Sequence, residues 1–101
     1  MLAEFSVIPI GKGESLGDQI AKVLRIVDSS GLPYKANPMG TVVEGDWDAV
    51  MAVIKQCHHA LLEEAPRLIT SITIDERPGK PNRIEEKVRS VAKRLGKEVR
   101  K

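Results

Sequence analysis

Tyr34-Lys35-Ala36-Asn37-Pro38-Met39-Gly40-Thr41-Val42-Val43-Glu44 contains two short extended runs, 34–37 and 41–44, joined by a Pro-Met-Gly turn. Such turn residues between extended runs predict a hairpin, although the alternation is too brief to set its register. Helical patterns flank it on both sides. Upstream, Leu16, Ile20, Val23, Leu24 and Val27 recur at helical spacing behind a Ser15–Asp18 capping pattern. Ser29-Ser30-Gly31 stops that run and Pro33 prevents its resumption. Downstream, Asp46 caps a second helix with Trp47, Val50, Ile54, Cys57 and Leu61 on one seam, and Pro66 closes it.

Further out lie two longer alternating segments, each predicted to be a strand. In Leu2 to Ile10, Ala3, Phe5, Val7 and Pro9 share one face, and Leu2, Glu4, Ser6, Ile8 and Ile10 the other. In Arg67 to Glu76, Leu68, Thr70, Ile72 and Ile74 oppose Ile69, Ser71, Thr73 and Asp75. After a turn-rich Arg77–Pro81, Asn82 with Glu85 three residues on predicts a third helix. It carries Ile84, Val88, Val91, Ala92 and Leu95 and ends at Gly96. The order strand, helix, strand, strand, helix, strand, helix predicts an α+β, ferredoxin-like split βαβ fold. Its four-stranded antiparallel sheet has two crossover helices on one face and an extra C-terminal helix.

That architecture leaves the second sheet face to water, the third helix or another subunit. The face carries Ser6, Ile8, Ile69, Ser71 and Thr73, with few charges, so a homo-oligomer is expected, a tetramer ahead of a dimer. At 101 residues the chain fits one domain, 1–101. A hydrophobic share of 42% is too high for a disordered chain. No run approaches the roughly 20 apolar residues of a membrane helix. Met1-Leu2-Ala3-Glu4 has no secretory pattern, and the single cysteine, Cys57, excludes an internal disulfide and fits a reducing cytoplasm. With Phe5, Tyr34 and Trp47 as the only aromatic residues, the core must be aliphatic.

Charge is uneven: residues 77–101 hold ten Lys/Arg against three Asp/Glu, and residues 1–76 six against eleven. A basic tail on an acidic body is one signature of nucleic-acid binding, but without interleaved aromatic residues a solvated helix near acidic neighbours is the favoured reading.

The chemical motifs are sparse. Cys57-His58-His59 cannot readily converge on one metal, because consecutive helical residues project about 100° apart. Gly11-Lys12-Gly13-Glu14-Ser15 lies between strand and helix but lacks the phosphate-loop order, so a tight turn is favoured. No nucleophile has an activating partner in its motif. Glu44 and Asp75, expected at adjacent strand ends, are the one carboxylate pair for acid–base work, and solvated strand ends explain them as well. No enzyme, metal or cofactor is expected. What remains is a polar set, Ser6, Tyr34, Asn37, Thr41 and Glu44, suited to a flat cationic heterocycle: an aromatic plane, hydroxyls, an amide and a carboxylate.

The chain resembles, over almost its full length, the small thiamine-binding-protein family. The resemblance rests on Ile8-Pro9-Ile10-Gly11 ahead of Ser15, Gly31-Leu32-Pro33-Tyr34, Met39-Gly40-Thr41-Val42-Val43-Glu44-Gly45, and Ile74-Asp75-Glu76-Arg77. It implies ferredoxin-like subunits, dimers whose sheets join, commonly a tetramer, and non-catalytic binding of thiamine or its pyrimidine moiety. Tyr34, Thr41 and Glu44 carry over from the matching motifs. Tyr34 would pack on a ring, Thr41 orient it, and Glu44 engage the aminopyrimidine or the thiazolium charge; Ser6 and Asn37 are added from strand geometry. Two other readings stay open: a regulatory or nucleic-acid-associated module using the basic third helix, and a structural oligomer without a ligand.

Overall fold

The computed structural model describes residues 1–11, 17–79 and 83–96. Strands β1 (Leu2–Ile10), β2 (Tyr34–Asn37), β3 (Gly40–Glu44) and β4 (Arg67–Asp75) alternate with helices α1 (Gly17–Ser29) and α2 (Trp47–Leu62), and α3 (Arg83–Leu95) follows. The sheet order is β2-β3-β1-β4 and every neighbouring pair is antiparallel. This is the ferredoxin-like arrangement read from the order of the elements. Ser15 and Asn82, the expected caps of α1 and α3, and the Lys12–Ser15 turn lie outside the described residues.

The register of β1 is lopsided. It pairs with β4 along its whole length, from Leu2 opposite Asp75 to Ile10 opposite Arg67. With β3 it pairs only from Leu2 opposite Glu44 to Phe5 opposite Thr41. The Met1 carbonyl accepts the Gly45 N–H at 3.0 Å. By the alternation of an antiparallel ladder, the main-chain groups of Ala3, Phe5, Val7 and Pro9 therefore point to the same side. Pro9 has no N–H to offer, and it stands where β3 no longer runs alongside, a place a sheet tolerates proline.

The core lies between the sheet and the crossover helices. Ala3, Phe5 and Val43 meet Val23 and Val27 of α1, and Val50, Val53, Ile54, Cys57 and Leu61 of α2, all buried. Asp46 caps α2 by accepting the Ala49 N–H at 2.8 Å. Two stripe residues depart from expectation: Ile20 and Trp47 are 55% and 52% exposed. Both sit in the first turns of their helices, where the helix overhangs an end of the sheet. Ile20 borders the gap left beyond β3, and Trp47 a cleft at the opposite end.

The third helix departs further. Ile84, Val88 and Ala92 are half-buried, but Val91 and Leu95 are 53% and 55% exposed, so the stripe is not docked throughout. The anchors given by the described residues lie in its first turns, where Glu44 accepts the Ile84 N–H at 3.4 Å and Lys87 pairs with Asp75 at 2.7 Å. Gly96, at φ +77°, ends the helix. Glu44 and Asp75 are not on adjacent strands. Each pairs across from Leu2, one on either side, so β1 separates them by two strand spacings, about 10 Å. No helix among the described residues is long and apolar enough to cross a membrane.

Candidate functional site

The early end of β3 creates a pocket. The Asn37 Oδ1 accepts the Met39 N–H at 2.8 Å, an Asx turn at the hairpin tip, beyond the last β1–β3 pair. The other end of the same amide donates to Glu4 Oε2 at 2.9 Å, tying the turn to β1. Gly40 makes this close approach possible: a Cβ there would lie 2.8 Å from the Phe5 carbonyl oxygen. Between the hairpin tip, residues 5–8 of β1, and Ile20, Val23 and Leu24 of α1 lies a pocket of about 270 Å³. That is near the lower bound, about 300 Å³, of small-molecule sites.

Thr41 lines the pocket and is only 7% exposed. Its hydroxyl has no hydrogen-bond partner among the described residues. A buried hydroxyl left unpaired costs about 1–3 kcal/mol, so a polar group entering the pocket would recover stability already forgone. Ser6 and Asn37 line the same pocket. The residues around it that the sequence reading missed are apolar, chiefly Ile20, Leu24 and Met39, which is 84% exposed at the turn. The one available signal for them was the Asn-Pro-Met-Gly turn beside a helix stripe.

The other two expected residues lie elsewhere. The Tyr34 hydroxyl donates to Asp28 Oδ1 at 3.0 Å, and this hydrogen bond, helped by the carboxylate's charge, raises the phenol above its ordinary pKa. Glu44 stands at the far end of β3, 8% exposed, beside the start of α3. There it borders a shallower cleft with Met1, Asp46, Trp47, Glu76 and Arg77. Ser6, Asn37 and Thr41 thus line one pocket, with Ser6 on the opposite sheet face from Thr41, while Tyr34 and Glu44 lie apart from it.

Among the described residues no group of three His, Cys, Asp or Glu side chains is placed to hold a metal. His58 Nδ1 lies 2.7 Å from the Thr70 hydroxyl, and its ring meets that of His59 edge-on. Cys57 is fully buried, and burial pushes its thiol up to about 11, far from the thiolate a nucleophile needs.

A family model described as thiamine-binding protein matches residues 3–92. The chain belongs to the thiamine-binding protein family. Its relatives in that family include a UPF0045 protein of Mycobacterium bovis, 41% identical over 94% of both chains. Another, from Methanocaldococcus jannaschii, is 37% identical over 90% of this chain and 91% of its own. The crystal structure of the M. jannaschii protein superimposes with a TM-score of 0.84, covering 90% of this chain and 94% of that one. A Thermotoga maritima protein, described as a candidate for thiamine biosynthesis or salvage, superimposes with a TM-score of 0.78 at 28% identity. That superposition covers 89% of this chain and 96% of that one. The hairpin and the pocket both fall within the span of the thiamine-binding protein match.

Proposed function

We propose that this thiamine-binding-family protein is a non-catalytic, cytoplasmic carrier, store or sensor of thiamine or its pyrimidine moiety, working as a homo-oligomer. The observation that carries the reading is the Thr41 hydroxyl, buried with no partner among the described residues against a mostly apolar pocket of about 270 Å³. Family membership supplies the class of ligand. The pocket reading uses Ser6, Asn37 and Thr41 and does not rest on Tyr34 or Glu44. Assembly is supported by exposed Ile8, Ile10 and Ile69 on the sheet face opposite α1 and α2, and by exposed Val91 and Leu95 on α3. These are large apolar side chains that association would take out of water.

Native mass spectrometry of freshly purified protein, followed by calorimetric titration with thiamine and with its free pyrimidine, tests both halves. The expected result is a multimer, a tetramer ahead of a dimer, that takes up one of the two ligands. A monomer at micromolar concentration removes the assembly, and no heat with either compound removes the ligand. Ile69→Arg should weaken the multimer by placing an unpaired charge in the interface.

A further inference from the structure

Val7 is the next β1 residue after Phe5 whose main-chain N–H and C=O point toward the β3 side. Continuing the ladder would set Met39 opposite it, but the Met39 N–H is held by Asn37 Oδ1. Val7 therefore lines the pocket with a donor and an acceptor that no strand pairs, and neither has a partner among the described residues. Asn37 spends one amide N–H on Glu4 and one lone pair of Oδ1 on Met39, which fixes its orientation beside the pocket. Among the described residues, none that lines the pocket carries a charge. A permanent cation would find no opposite charge among these residues, so the described lining suits a neutral group.

We propose that the free main-chain edge of β1 at Val7 is the recognition element of this pocket. It would read a flat, neutral ring that carries a hydrogen-bond donor beside an acceptor, as an aminopyrimidine does. This deepens the proposed function and rests on it. The ring takes the place of the strand residue that Asn37 withdraws: its amino group donates to the Val7 carbonyl and its ring nitrogen accepts from the Val7 N–H. Thr41 then pairs with a remaining polar substituent. A thiazolium attached to such a ring stays outside, in water.

Hydrogen exchange of the Val7 amide in the full, isotope-labelled chain provides the test. It is followed with and without 4-amino-5-hydroxymethyl-2-methylpyrimidine, beside calorimetry of the same ring lacking the amino group. Val7 exchange should slow by about ten-fold or more on binding, and the ring without the amino group should bind about ten-fold more weakly, as expected for a buried acceptor left unpaired. If the pyrimidine binds but Val7 exchange is unchanged, or if the two rings bind equally, the edge is not the recognition element, while the proposed function stands. If the protein takes up neither thiamine nor the pyrimidine, the function itself falls and the inference with it.

Discussion

Thr41 and Glu44 stand three residues apart on β3, both more than nine-tenths buried, the two buried polar side chains among the described residues. They face opposite sides of the sheet. Glu44 is spoken for: its carboxylate accepts the Ile84 N–H at the start of α3, where a negative charge also suits the helix dipole. Thr41 lines the pocket with no partner for its hydroxyl among the described residues. Burial alone therefore does not mark a binding residue. The informative property is whether the fold has already supplied the group's partner: Glu44 has one in α3, and the Thr41 hydroxyl has none among the described residues.

The largest effect should come from breaking the satisfied member. Glu44→Ala strips the start of α3 of its acceptor and should cost about 2–3 kcal/mol in urea unfolding, with ligand affinity little changed. A loss of ligand binding at intact stability would reverse the two roles. Next, Gly40→Ala drives a Cβ to 2.8 Å from the Phe5 carbonyl, so the hairpin must shift. A stability loss of about 2 kcal/mol, with impaired pyrimidine uptake, is expected by analogy with overpacking. Thr41→Val, nearly isosteric, should leave stability unchanged or raise it by up to about 1 kcal/mol while lowering pyrimidine affinity about ten-fold. Calorimetry beside thermal melting would detect that opposition of signs; a clear destabilisation would mean the hydroxyl does have a partner.

The smallest effect sharpens the comparison with a third buried group. Burial raises the Cys57 thiol to about 11, so folding favours its neutral form. That contribution is complete below the ordinary thiol pKa of about 8.5 and is lost as pH climbs toward 11. Cys57→Ala should therefore flatten the alkaline decline in melting temperature over that window, and an unchanged slope would place its cause elsewhere.

The fold was legible because its decisive signals are long. Nine alternating residues at Leu2–Ile10, and as many at Arg67–Asp75, can form strands with only one face inward. The site was legible in part. Ser6 was visible as a polar residue on the long first strand, and Asn37 and Thr41 on short extended runs; all three line one pocket. What stayed hidden depends on register. The Met39 N–H is taken by Asn37 where β1–β3 pairing ends, and four residues of β2 hold too little alternation to reveal it. The separation of Glu44 from Thr41 follows from length, since three residues of strand span about 10 Å. The exposure of Trp47 and Ile20 likewise depends on where the sheet ends beneath a helix, which no periodicity within the helix records.

A sheet with a notch in it carries a hazard, because an open strand edge can recruit a strand from another chain and seed aggregation. Here Pro9 stands two residues beyond Val7, on the same side of β1, and presents no N–H. An invading strand could gain the Val7 pair but would find no donor at the next step, so the ladder could not propagate. If the Val7 edge holds a small ring as proposed, Pro9 lets that one main-chain position stay open while denying a foothold to a polymer.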